Sequence, residues 1–171
     1  PYDLEIAGSA QRFASNVRLS DSVASDPNAI GVTAVAFQRA SKALPIRQDC
    51  GILSFPTTFS MKTEEYPLAR RLYLYDTPNN ISGHARQLLE FAKSEEAQPI
   101  IAEAGFVNLT VELLPLEQEG ARIIHALVGE DEIEMNLFRE MLRELRNASR
   151  LSTTFRFTPG SSQLTPKSQA D

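Results

Sequence analysis

A single cysteine stands among the 171 residues, which excludes an intrachain disulfide and any multi-cysteine zinc site. The two histidines, His84 and His125, lie too far apart for the H-x-x-x-H or H-x-H spacing of a metal centre. Positive charge is scarce as well: 17 Lys plus Arg face 22 Asp plus Glu, a net charge of -5. A general nucleic-acid binder needs a dominant basic face, so nucleic acid is not an expected partner. No apolar run approaches the roughly 18–20 residues that span a bilayer. The chain opens Pro1-Tyr2-Asp3 with neither an initiator Met nor a basic-then-apolar leader, and is expected to be an excerpt of something longer. There is no G-x-S-x-G elbow, no Walker pattern and no dinucleotide-binding glycine pattern.

What is present is ordinary globular material. Apolar residues make up 42% and charged residues 23% of the chain, so wholesale disorder is not expected. Ser20 is a candidate cap for a short helix through Val23-Ala24, ended by Asp26-Pro27-Asn28. Ile30 to Val35 is β-branched and almost uncharged, as a buried parallel strand should be. Phe37 to Ala43 reads as a short helix closed by Pro45, and Thr57 to Met61 as a strand or extended crossing. Arg71-Leu72-Tyr73-Leu74-Tyr75 reads as a better strand, between Pro67 and Asp76-Thr77-Pro78.

From Ser82, the residues Ala85, Leu88, Leu89 and Ala92, then Ile100, Ile101 and Ala104, recur at helical spacing. Pro99 implies two helices, or a restart at Glu95, because a proline inside a helix removes a hydrogen bond. Gly105 sits where a C-terminal cap belongs, and Phe106 to Leu109 reads as an extended exit. The order of strands and helices predicts an α/β fold. Glu117 to Val128 is a weaker helix, interrupted by Gly120 and Gly129. A helix over 132–147 is clear: Ile133, Leu137, Met141 and Leu145 form a stripe beside Phe138 and Leu142. Acidic residues open this helix and Arg139, Arg143 and Arg146 load its second half. In the tail, Leu151, Thr153, Phe155 and Phe157 alternate with polar neighbours as in a strand. Pro159 to Ser162 is a loop, and Thr165-Pro166 reads as an N-cap followed by a first-turn proline.

Three segments in register resemble phosphate-type periplasmic solute-binding proteins. Asp26-Pro27-Asn28-Ala29-Ile30-Gly31 is similar to that family's D-P-x-A-I-G segment. Tyr66-Pro67-Leu68-Ala69-Arg70-Arg71-Leu72-Tyr73-Leu74-Tyr75 resembles its Y-P-L-S-R-x-L-Y-L-Y crossing, with Ala69 where Ser is usual. Phe91 to Ser94, Gln98 and Gly105-Phe106-Val107 resemble its late helix and exit. The tail, Arg150 to Phe157 and Gly160 to Leu164, resembles the opening of OmpA-like C-terminal domains, which usually bind peptidoglycan. The resemblance implies a type II periplasmic-binding-protein-like fold over 1–112, a helical linker over 113–149 and the start of a truncated OmpA-like domain over 150–171. It further implies a ligand in a cleft between two lobes and a place in the periplasm or bacterial cell envelope. The family's Ser-Gly-Thr turn, whose free N–H groups grip an oxyanion at a helix N-terminus, is not matched by Gly8-Ser9-Ala10. The ligand site is therefore expected to be incomplete in this chain.

Arg70 and Arg71 are the ligand-binding candidates, since guanidinium groups pair well with phosphate. The competing reading is that both flank a strand and face solvent or a carboxylate. Cys50 has no local base to activate it and reads as a bystander thiol. His84 and His125 read as structural. Glu64-Glu65, Glu95-Glu96 and Glu130-Asp131-Glu132 read as solvated faces or dipole partners rather than a paired acid and base. The sequons at Asn80, Asn108 and Asn147 are of a kind frequent by chance. No catalytic residue, metal ligand or cofactor follows from the sequence. The expected function is non-enzymatic binding of a phosphate-like oxyanion, associated with ABC-type uptake or envelope sensing. The alternative is a structural or interaction module that no longer binds solute and is anchored to peptidoglycan by a downstream domain. Self-association is expected through helix 132–147 and strand 151–157, because an unpaired edge recruits another chain.

Overall fold

The computed structural model describes residues 7–49, 51–77, 81–120, 123 and 132–170. Cys50, Asn80, His125, Glu130-Asp131 and most of the span from Glu117 to Val128 lie outside the described residues. Among the described residues the architecture is mixed: short helices with two small antiparallel two-stranded sheets.

Helix α1 (Asn16–Ser25) is capped by Ser15, whose Oγ accepts from the Arg18 N–H at 3.4 Å, and it stops at Asp26 before Pro27. Ser20, expected at the cap, is instead fully buried in mid-helix. Its hydroxyl is drawn inward by the Gln38 carbonyl and by Ser41 Oγ at 2.9 Å. The run from Ile30 to Val35 is not a strand. It is irregular up to a 3-10 turn at Val35–Phe37, and Ile30 is 80% exposed. β-branched residues favour a strand only when a neighbouring strand packs beside them, and here the neighbour is helix α1. A Cβ at Gly31 would come within 2.9 Å of Leu19 and Val23 side chains, so only glycine fits comfortably where the chain crosses that helix. The short helix expected over Phe37 to Ala43 reduces to the same 3-10 turn followed by a hydrogen-bonded turn.

Strands β1 (Ile46–Arg47) and β2 (Leu53–Ser54) pair antiparallel, Ile46 opposite Ser54. The Thr57 to Met61 stretch, expected as extended, is helix α2 (Thr58–Lys62). A reciprocal cap decides the matter: Thr57 Oγ1 accepts from Ser60 N–H at 3.1 Å, and Ser60 Oγ accepts from Thr57 N–H at 3.0 Å. The stretch from Arg71 to Thr77 is irregular rather than a strand, with Leu72, Tyr73, Leu74 and Tyr75 all exposed. It has no ladder partner among the described residues.

Helix α3 (Gly83–Lys93) begins at Ser82, which caps it by accepting from Ala85 N–H at 3.2 Å. After a break at Ser94, α4 (Ala97–Glu103) carries Pro99 in its first turn, where the missing N–H costs nothing. Gly105 closes α4 with φ +82°. Its N–H reaches the Ala102 carbonyl at 2.9 Å and the next N–H, of Phe106, reaches Ile101 at 3.1 Å, the two bonds of a Schellman end.

Strand β3 (Leu113–Pro115) runs into a 3-10 turn at Leu116–Glu119 and pairs antiparallel with β4 (Ser149–Leu151), Leu114 opposite Arg150. Helix α5 (Glu132–Glu144) lies between them in sequence. The tail strand is shorter than its alternation implies. Ser152 N–H donates to the Glu112 carbonyl at 2.9 Å, and Ser152 Oγ accepts from the Glu112 N–H at 2.8 Å, so a side chain takes the place of a backbone acceptor just past the last rung. Phe157 then meets Leu164 in a lone bridge, and Thr165 caps α6 (Pro166–Ala170).

The core is small. Among the described residues only Phe59 and Ala97 are buried apolar side chains. The accessible surface is 14089 Å², against about 8,300 Å² for a compact monomer of this mass. No helix among the described residues is long and apolar enough to cross a membrane.

Candidate functional site

The most connected polar region is built on the end of α2. Thr63 is its C-cap, and Glu64 follows with φ +60°. Glu64 N–H bonds to Met61 O at 3.2 Å and Glu65 N–H to Ser60 O at 2.8 Å, a second Schellman end, here with glutamate in the left-handed position that glycine normally takes. This turn throws two consecutive carboxylates outward. Glu64 Oε1 takes Arg71 Nε at 2.9 Å and its Oε2 takes Arg156 Nη2 at 2.9 Å. Glu65 Oε1 takes Arg150 Nη2 at 2.5 Å.

Arg150 is delivered by β4. Its second nitrogen, Nη1, reaches Glu119 Oε2 at 2.7 Å, and its guanidinium carbon lies 5.2 Å from the centre of the Phe59 ring. Burial alone would lower the Arg150 pKa, but the hydrogen bonds and negative charges of Glu65 and Glu119 outweigh it and hold the group above its ordinary value. The cation is therefore permanent.

A second cation braces the same turn. Lys62 is almost wholly buried and gives its ammonium to Asn108 Oδ1 at 2.8 Å, Thr110 O at 2.6 Å and Glu112 Oε1 at 2.6 Å. The three protons of an ammonium have three acceptors. Gln98 fixes the far side of that loop, accepting from Leu109 N–H at 2.8 Å and donating to Ser94 O at 2.8 Å. Residues 57–66 are thus gripped by 108–119 and by 150–156.

The structure separates the two candidate anion ligands. Arg71 is held by Glu64, while Arg70 is exposed and takes no ion pair among the described residues. Of the acidic runs, Glu64-Glu65 is not a solvated face, because the guanidinium groups of Arg71, Arg150 and Arg156 converge on it. Carboxylates matched by permanent cations serve as anchors rather than as a proton-exchanging pair. Elsewhere, an open groove of ≈ 550 Å³ runs between Tyr75-Asp76-Thr77 and the Ala85, Leu88 and Leu89 face of α3, and neither arginine lines it. His84 is exposed in the first turn of α3. Among the described residues no cluster of three His, Cys, Asp or Glu side chains could hold a metal ion.

Sequence reasoning missed Lys62, Arg150, Arg156 and Glu119. Arg150 and Glu65 are 85 residues apart, and nothing local marks the pairing. The one available signal was the doubled Glu64-Glu65 close before the doubled Arg70-Arg71. Comparison with known protein families, with curated proteins and with solved structures finds no match to this chain.

Proposed function

We propose that the chain is a non-enzymatic part of a cell-envelope protein: a phosphate-type solute-binding module joined through an ionic junction to a wall-directed unit. The support for the binding module is the three in-register segments around Asp26-Pro27, Tyr66-Pro67 and Gly105-Phe106. A likeness of sequence pattern carries this reading, and the periplasmic setting comes with it. A two-lobed receptor works by closing on its ligand, which selects the closed arrangement by differential contacts. Here the grip is partial, since both arginines are exposed but Arg71 is engaged by Glu64, leaving Arg70 as the candidate with no ion pair among the described residues.

Calorimetric titration with phosphate and with sulfate tests this. The expected result is weak binding, saturating only in the millimolar range and abolished in Arg70→Ala. Micromolar affinity that survives Arg70→Ala would overturn both the assignment of Arg70 and the incompleteness of the site.

One observation favours a second reading, a structural or interaction module that binds no solute. Glu64 bridges Arg71 to Arg156, spending one candidate anion ligand on joining 57–71 to the tail. Glu64→Gln separates the readings. It removes the charge with which Glu64 engages Arg71 and strengthens phosphate binding if the arginine pair is a ligand site, and it only lowers stability if the pair is scaffolding.

A further inference from the structure

Helix α5 has three distinct faces. Phe138 and Leu142, four residues apart, are half-buried and line a groove of ≈ 200 Å³ with Leu116 and Ile123 and with the paired Glu119 and Arg150. Arg139 and Arg143 lie at i and i+4 on a basic face, and Arg146 follows in the turn after the helix. The third face carries Leu137, Glu140, Met141 and Glu144, spaced i, i+3, i+4 and i+7, and is continued by Leu145, just past the helix end, whose N–H still bonds to Met141 O at 2.9 Å. Its apolar members remain open: Leu137 is 64%, Met141 45% and Leu145 41% exposed. Met141 and Leu145 also border the groove, so ridge and groove are continuous. Glu140 and Glu144 are exposed and take no ion pair among the described residues.

We infer that this third face is a docking surface for a cationic amphipathic helix of another protein. An apolar ridge supplies area, and a helix laid along it would seat its own apolar residues on Leu137, Met141 and Leu145. The carboxylates decide the sign of the partner. Glu140 and Glu144 sit within the ridge rather than on the far side of the helix, so any occupant brings charges within a few ångström of them. A second copy of α5 would bring its own Glu140 and Glu144, and like charges at such a contact are unfavourable. A helix flanked by Lys or Arg meets them with complementary charge. This inference uses neither Arg70 nor Arg71 and stands whether or not the oxyanion reading does.

The test uses the whole chain and two synthetic amphipathic peptides with the same leucine stripe, one flanked by lysines and one by glutamates. Fluorescence anisotropy of the labelled peptides is expected to show the lysine peptide binding at least about tenfold more tightly, with the advantage shrinking as salt rises. Leu137→Ser with Met141→Ser removes binding. Glu140→Lys with Glu144→Lys reverses the preference, a gain that an unfolded protein would not show. Equal binding of both peptides means plain apolar adsorption and overturns the inference. So does binding of neither peptide, whether the protein is monomeric or light scattering shows a dimer that Leu137→Ser dissolves.

Discussion

Glu64 occupies at the end of α2 the same backbone position that Gly105 occupies at the end of α4: each has a positive φ, and each is followed by an N–H that bonds back to the last helical turn. For Gly105 the reason is steric, as an added Cβ would lie 3.0 Å from Ala36 Cα. For Glu64 the left-handed backbone costs about 1 kcal/mol. The ion pairs to Arg71 and Arg156 offset it.

The contrast predicts an unusual mutational order. Glu64→Ala loses both ion pairs and keeps the strained backbone, whereas Glu64→Gly loses the pairs and relieves the strain. Glycine should therefore be more stable than alanine at position 64 by about 1 kcal/mol, the reverse of the usual order. At position 105 the change Gly105→Ala should destabilise by more than that. Urea midpoints at unchanged m-value report both comparisons; alanine outperforming glycine at 64 would mean the helix end is not built as described.

Arg150 predicts a stability effect without pH dependence. Its pKa is raised in the folded state, so its contribution is complete below the unfolded pKa and is lost only as pH rises through the folded one. That window lies above the alkaline limit of ordinary proteins. Arg150→Met should lower stability by about 2 kcal/mol, a figure discounted for the partial exposure of the pair. The wild-type-minus-variant difference should stay flat from about pH 6 to about pH 9. A difference that fades across this range would assign the effect to another titrating group.

Some helix ends were legible in the sequence because caps are local, although Ser20, read as a cap, lies in mid-helix. Gly105 and Thr165-Pro166 each act within about five residues, and each does in the structure what its position implies; the helical spacing read from Ser82 onward is likewise helix α3. The strands were not legible. The runs at Ile30 to Val35 and Leu72 to Tyr75 have strand composition, but a strand needs a neighbour, and sequence does not say whether one is present. The α2 helix was lost for a related reason: Thr57 and Thr58 look β-forming until the Ser60 hydroxyl is seen to complete the cap. At the junction, Glu64-Glu65 was visible as a charged pair, but its partners Arg150 and Arg156 lie in the tail and become neighbours only through the β3–β4 pairing.

Lys62 predicts a large loss with partial rescue. Lys62→Met strips donors from Asn108 Oδ1 and the Thr110 carbonyl and leaves the Glu112 carboxylate without its cation. The expected cost is about 2–4 kcal/mol. Adding Glu112→Gln removes the orphaned charge while an oxygen is kept for the Thr58 hydroxyl, so the double variant should be more stable than Lys62→Met alone by about 1 kcal/mol. Additive losses in the double-mutant cycle would show that the pair is not coupled.

The Ser20, Ser41 and Gln38 cluster predicts the opposite sign of non-additivity. Ser41 Oγ donates to the Gln38 carbonyl at 2.5 Å, Ser20 Oγ donates to the same oxygen, and the two hydroxyls lie 2.9 Å apart. Two hydroxyl protons cannot satisfy three contacts at once, so the cluster is over-supplied with acceptors and each serine is partly redundant. Ser20→Ala alone should cost about 1 kcal/mol, because Ser41 continues to satisfy the carbonyl. Ser41→Ala should behave alike for the mirror reason. Removing both leaves the half-buried Gln38 carbonyl with only the Ser41 N–H, at 3.0 Å, so the double variant should lose about 0.5 kcal/mol more than the sum of the singles. Thermal or urea unfolding of the four proteins gives the coupling directly, and a sum that is simply additive would mean only one of the two hydroxyls serves that carbonyl.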